Sequence, residues 1–169
     1  MNRLVERNYL EINSLNELIE TIPPSKDIKL ELLDPPDFNL SKFFYKQIGK
    51  KYHWVDRLDW SDNAWIQYTE NKNVKTYILK KTEEIVGYFE QIYHNKKQET
   101  EIAYLGILEE YFGKNYGSYL LSEAIKISFQ NNCKRVWVHT CSLDHKNALK
   151  NYQKRGMKIF KSEKINFNL

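Results

Sequence analysis

Residues 108–121 read LEEYFGKNYGSYLL, a tight turn that runs straight into a helix. The turn looks suited to phosphate, yet it carries neither strict phosphate-loop signature. Asn115 follows Gly113 and Lys114 where a P-loop needs Ser or Thr, and Gly113 and Gly117 alone cannot make a G-x-G-x-x-G. A strand that turns into a helix N-terminus nonetheless presents unpaired backbone N–H groups and the positive end of the helix dipole. Such a place binds an anion without a particular side chain. Gly113 and Gly117 allow close approach, Lys114 adds a positive charge, and Asn115 tolerates a positive φ. A plain strand-to-helix connection would read the same way, so the neighbouring segments must decide.

Working outward, Leu120, Leu121, Ala124, Ile125 and Phe129 form one face of a 3.6-residue period, which predicts a helix ending at Asn131-Asn132. KRVWVHTC follows as a buried strand, and a strand–helix–strand run of this length implies a right-handed parallel crossover. A second helix is expected from about His145 to Lys154, capped by Ser142 or Asp144 and stopped by Gly156. One or two strands close the chain. Upstream, KTYILKK, EIVGYFEQIYH and TEIAYLGIL are β-rich and joined by short polar connections, the pattern of an antiparallel meander. Before them, DIKLELL alternates as a strand, Ser41 can cap one helix, and Ser61 or Asp62 another. Residues 1–26 are the least determined. NYLEI suits a short strand and Ser14 with Glu17 a capping box, and the segment reads as an N-terminal extension to a single domain over 27–169. The fold class expected is α/β: a mixed, mostly antiparallel central sheet flanked by helices, with a parallel crossover in the second half.

Composition narrows the function classes. The 169 residues are 41% hydrophobic and 28% charged, enough for one domain with a substantial core. The net charge of +4 is spread along the chain without a basic tract, so nucleic-acid binding is not the expected role. Cys133 and Cys141 have no metal spacing and the four histidines are scattered, so no metal is expected. With no signal peptide and no apolar run of membrane length, the expectation is a cytoplasmic chain with reduced thiols and no membrane contact.

The segment LGILEEYFGKNYGSYLL resembles the acetyl-CoA motif of the GNAT superfamily of N-acetyltransferases: a hydrophobic strand, V-x-P-x-Y, then [RQ]-x-x-G-x-[GA] and a helix. Ile107 stands at the usual Val, Tyr111 at the aromatic and Gly117 at the second glycine. Glu109 replaces the Pro, Phe112 the Arg or Gln, and Asn115 the first glycine. HTCSLDHKNALKNYQKRGMKIF resembles the family's closing strand–helix–strand, through Asn147, Ala148, Tyr152, Gly156 and Met157. On a helix, Asn147 and Tyr152 would lie about 140° apart around the axis, lining adjacent parts of a groove. The likeness runs over about residues 75–161.

The resemblance implies an enzyme that moves an acetyl group from acetyl-CoA to a primary amine of a small molecule or peptide, by direct attack in a ternary complex. It implies that Leu105, Ile107, Phe112, Gly113, Lys114, Asn115, Tyr116, Gly117, Ser118 and Asn147 hold the cofactor, with the Ile107 N–H on the thioester carbonyl. Gly106 suits a bulge or a close approach there. Glu101 is the first choice for the base, Glu90 the second, and Tyr152 the acid. His139 and Cys141 share the strand after the helix; Cys141 as a nucleophile would mean a ping-pong enzyme, whereas a buried inert thiol needs no such role. In the family the early helices line the acceptor side, which brings in Trp54, Arg57, Trp60 and Glu90, with Asp56 and Asp62 as further carboxylates. The other readings are a noncatalytic CoA-binding or sensing module of the same fold, and a nucleic-acid-binding α/β domain using its aromatics and lysines. A homodimer is compatible with any of them.

Overall fold

The β-rich run from residue 74 to 107 folds as an antiparallel meander of β3 (Val74–Lys81), β4 (Glu84–His94) and β5 (Glu99–Ile107). A computed structural model of the chain describes residues 2–168. Ahead of the meander lie β1 (Asn2–Ile12), β2 (Ile28–Leu32), α1 (Phe38–Gly49) and α2 (Asp62–Thr69). After it come α3 (Tyr116–Gln130), β6 (Arg135–Cys141), α4 (Ala148–Lys154) and β7 (Lys158–Asn168). All the strands share one sheet in the order β2-β3-β4-β5-β6-β1-β7, antiparallel throughout except for the β5–β6 pair. The expected mixed sheet with a parallel crossover is the one observed.

Each face buries a different helix. The stripe predicted on α3 packs Leu120, Leu121, Ala124 and Ile125 against Leu79, Val86, Phe89, Ile102, Val136 and Val138, all buried. The Gln91 amide reaches from β4 to donate to the Ala124 carbonyl at 2.8 Å and the Ser128 hydroxyl at 2.6 Å, which pins the helix axis to the strand. On the other face α1 sets Phe44 and Ile48 on Ile78 and Tyr88, the Phe44 and Tyr88 rings stacked 4.6 Å apart.

The structure corrects several expectations. Residues 1–26 are not an appendage: β1 lies between β6 and β7 inside the sheet, so a boundary after residue 26 divides no structural unit. Its apolar positions Val5, Leu10 and Ile12 are fully buried, a pattern masked in the sequence by the charges between them. Ser14 and Glu17 do cap, but only a single 3₁₀ turn at Leu15–Glu17. Ser14 accepts from the Asn16 N–H, and Glu17 from the Asn13 N–H. The first helix starts at Phe38 under an Asp37 cap, not at Ser41, which is buried. Ser61 caps α2 as expected. The last helix starts only at Ala148, because Asp144 accepts from the Cys141 N–H and the Thr140 hydroxyl and so closes a turn instead of capping a helix. One long strand, β7, then completes the sheet.

Gly156 ends α4 at φ +101°, and a Cβ there would sit 2.2 Å from the Glu17 carbonyl oxygen. The N-terminal turn is thus pressed onto the end of α4. Gly156→Ala is expected to destabilise the protein by at least about 1–3 kcal/mol, from the left-handed backbone alone. Urea unfolding followed by circular dichroism checks this.

Candidate active site

The strands β5 and β6 pair only from Glu99–Glu101 to Arg135–Trp137, and beyond that they part. The parting coincides with an extra residue in β5: Glu90 faces Tyr104 while Gln91 faces Ile102, which leaves Ala103 as a bulge. The bulge is therefore not at Gly106. That glycine serves close packing, since a Cβ there would lie 2.6 Å from the Ile48 side chain. Farther along, the Leu108 N–H donates to the Val86 carbonyl at 2.8 Å. Antiparallel pairing alternates, so the N–H groups of Leu105 and Ile107 point the other way, into the gap. The gap widens into a cleft of about 360 Å³.

One end of the cleft is the turn before α3. Gly113 has φ +76° with nothing within 4 Å of its would-be Cβ, and Asn115 sits left-handed at φ +65° as the N-cap. The Asn115 side chain makes no capping hydrogen bond, so the first N–H groups of α3, from Tyr116, Gly117 and Ser118, lack the usual cap. All of these residues line the cleft. Lys114 does not line it; its ammonium lies 5.8 Å from the centre of the Tyr111 ring. Phe112 stands edge-on to His145, with centroids 5.2 Å apart. Glu109, whose charge would oppose an anion, is paired with Lys51. Asn147 lines the cleft, and so does Asn151, whose amide donates to the Gly117 carbonyl at 3.2 Å and ties α4 to the start of α3.

The proposed acid and base fare differently. Tyr152 is buried and lines the cleft beside Ile102 and Val138. Burial, with a smaller push from Asp144, raises its phenol well above the usual range, so it holds its proton. Glu101 does not line the cleft. It sits at the closed end, where the strands still pair, and binds the His94 Nε2 at 2.8 Å.

Of the acceptor residues, Trp54 and Asp56 line the cleft, Trp54 packed on Tyr104 at 4.6 Å. Arg57 and Glu90 are interior. Their guanidinium and carboxylate form a two-pronged pair at 2.8 and 3.1 Å, and the Tyr68 hydroxyl donates to the same carboxylate at 2.6 Å. Five rings surround the guanidinium, those of Tyr45, Trp60, Trp65, Tyr68 and Tyr104, at 4.1 to 5.6 Å. Two charges so matched neutralise each other, so neither Glu90 nor Arg57 is available to a ligand, and half-buried Trp60 lies outside the cleft against the guanidinium. The cleft also recruits residues to which the motifs gave no role: Arg7, His53, His139, Asp144 and Phe167. Arg7 and Phe167 come from the two strands whose place in the sheet the sequence did not reveal. The alternating exposure of β6, with Val136 and Val138 inward, was the available signal for His139.

Residues 38–157 match the model of the acetyltransferase (GNAT) family. The chain belongs to this family. Among solved structures it is similar to a GCN5-related N-acetyltransferase from Sphaerobacter thermophilus, with a TM-score of 0.70 at 14% identity over 98% of this chain and 52% of that one. A GCN5-related N-acetyltransferase from Kribbella flavida gives 0.68 at 13% identity, over 98% and 58%. An aminoglycoside acetyltransferase from an uncultured soil metagenomic sample, solved with trehalose, gives 0.63 at 14% identity, over 79% and 90%. The chain spans about half the length of the Sphaerobacter protein. No curated protein matches it. These likenesses extend the GNAT fold to β1, which lies outside the matched residues.

Removing one partner of the buried pair leaves the other charge among the rings. Glu90→Gln is expected to cost about 3–5 kcal/mol. Asp62→Asn, which breaks the exposed contact with Lys42, is expected to cost less than about 1 kcal/mol. Denaturant unfolding of both variants tests the contrast.

Proposed function

We propose that this GNAT protein transfers an acetyl group from acetyl-CoA to a primary amine, by direct attack in a ternary complex. The observation that carries the reading is the row of free N–H groups at Leu105 and Ile107, facing a cleft that ends at the uncapped start of α3. An extended pantetheine arm can pair with the former as a strand would, and a pyrophosphate suits the latter. The residues present fit that donor, which supplies an acyl group activated as a thioester. The Ile107 N–H then holds the carbonyl oxygen as negative charge develops on it.

Attack forms the C–N bond and breaks the C–S bond. Tyr152 gives its proton to the leaving thiolate and regains one from solvent. Its high phenol affinity for the proton keeps the acid form present across the neutral range. The acceptor would enter past Trp54 and Asp56, from the sheet face opposite α3. Asp56 favours a cationic amine, and the aminoglycoside acetyltransferases among the similar structures make polyamino sugars one class to try. Free thiols at Cys133 and Cys141, and the lack of any described helix long and apolar enough to cross a membrane, accord with a cytoplasmic enzyme.

Melting with and without acetyl-CoA tests the donor. At about 100 times its dissociation constant a ligand adds about 2.7 kcal/mol. For a domain of this size, that is a rise of roughly 5–10 °C. NADH and ATP should give none of comparable size, and no shift with any CoA ester would overturn the reading. Tyr152→Phe is expected to keep the acetyl-CoA shift while lowering kcat by about 100-fold. Binding without turnover in the unmodified protein would identify a CoA-binding module instead.

A further inference from the structure

His139 lies on β6 two residues past the last residue paired with β5, so it stands where the gap is open. Its neighbours Val138 and Thr140 are buried, which turns the imidazole to the opposite face, the face of Trp137 and Cys141. There it lines the cleft, 5.6 Å from the ring of Tyr9 on β1, and no protein group among the described residues hydrogen-bonds to it. We propose that His139 is the base that takes the proton from the attacking amine, a role the motif had suggested for Glu101. This rests on the acetyl-transfer reading above.

Several titratable groups line the cleft, and geometry separates them. His145 is held between Tyr52 and Phe112, and its Nδ1 accepts from the Asn147 N–H at 3.1 Å. Asp144 is engaged by the Thr140 hydroxyl and the Cys141 N–H. Asp56 accepts from the Tyr104 hydroxyl at 3.2 Å, and His53 packs on Phe167. Glu101 is turned to His94, whose ring stacks on Trp137. His139 alone combines a free ring nitrogen with a place on the strand that faces the Leu105 and Ile107 N–H groups across the gap.

Its surroundings keep it neutral. The ring is open at the cleft surface, but the protein packed around it strips part of its hydration, and Arg7 on β1 sets a like charge beside the protonated form; both lower its proton affinity. Glu101 on β5, Asp144 after β6 and Asp56 before α2 pull the other way, and the lowering effects outweigh them. The chemistry balances as follows. The acceptor enters as a free amine, having left one proton in solvent, and its nitrogen attacks the thioester carbon. The nitrogen of the tetrahedral adduct, more acidic than a free ammonium, passes a proton to the imidazole. The C–S bond breaks, the thiolate takes the Tyr152 proton, and the imidazolium returns its proton to solvent.

The test uses the full chain with acetyl-CoA and the primary-amine probes tyramine, spermidine and sisomicin. His139→Gln should lower kcat/KM at pH 7 by about 100-fold or more, the range of a lost general base. It should leave the acetyl-CoA melting shift intact. Activity of the unmodified enzyme should fall as pH drops through the His139 titration, and that acid limb should vanish in His139→Gln. The ring titration, followed by NMR and assigned against His139→Gln, should have its midpoint below the ordinary 6.5. An unchanged acid limb or kcat/KM in His139→Gln overturns the assignment, as does a loss of that size in Glu101→Gln alone. A ring that is still mostly protonated at pH 7, and so cannot take up a proton, overturns it too, whether or not a probe is acetylated. Loss of the acetyl-CoA shift in the unmodified protein instead overturns the acetyl-transfer reading on which it rests.

Discussion

A sheet that parts in its middle leaves backbone groups without partners, and the rest of this molecule is arranged around that opening. Strands beside one another would ordinarily pair those groups, so the gap persists because the strands that border it are held apart. On one side β5 is kept by β4, with the bulge at Ala103 bending it away just where the parallel pairing stops. On the other side β6 is paired along its length with β1, whose register continues from Ile12 opposite Val136 to Arg7 opposite Cys141. β1 is in turn locked by β7. The N-terminal strand is therefore a condition of the cleft: without it β6 would have a free edge and no reason to stay apart from β5.

The second constraint is the buried Arg57–Glu90 pair. Isolated, either charge would be prohibitive inside the domain; matched as a fork and ringed by aromatics, they fix the segment between α1 and α2 against β4. The Arg57 N–H also donates to the Tyr45 hydroxyl at 3.0 Å, which carries the link to α1. Trp54 and Asp56 stand immediately before this anchor, and so reach the cleft from a loop that would otherwise wander. Arg57 and Glu90, which the sequence offered for the acceptor side, are thus spent on each other and steady the loop that carries Trp54 and Asp56.

Much of the architecture was legible because it follows from local periodicity. The meander, the face of α3, the Asn132 turn at φ +61° and the crossover strand all obey patterns readable over a few residues. What was not legible depends on pairing at a distance. β1 alternates with charges such as Glu6 and Glu11, and its place is set by β6 and β7 more than 100 residues away. The same holds for the site. Tyr152 and the residues of the α3 turn meet at the cleft because their spacing along the chain carries the geometry. Glu101 lies outside the cleft, a point hidden because sequence gives the strand but not the residue at which its partner departs. The place of His139 beside the opening was hidden for the same reason.

That distinction also explains why the altered phosphate turn need not have lost its purpose. A side chain at Phe112 or Asn115 contributes to an anion site only by what it adds to the backbone. Here Asn115 takes the left-handed conformation that favours glycine, Gly113 is open, and the first α3 N–H groups are left without a side-chain cap. The unfavourable charge at Glu109 is drawn off by Lys51. Phe112, in place of a polar residue, packs on His145 and closes the mouth between the turn and the start of α4. Selection acting on a backbone-made site constrains φ, ψ and access rather than residue names. A motif written in letters can then fade while the electrostatics it stood for survive.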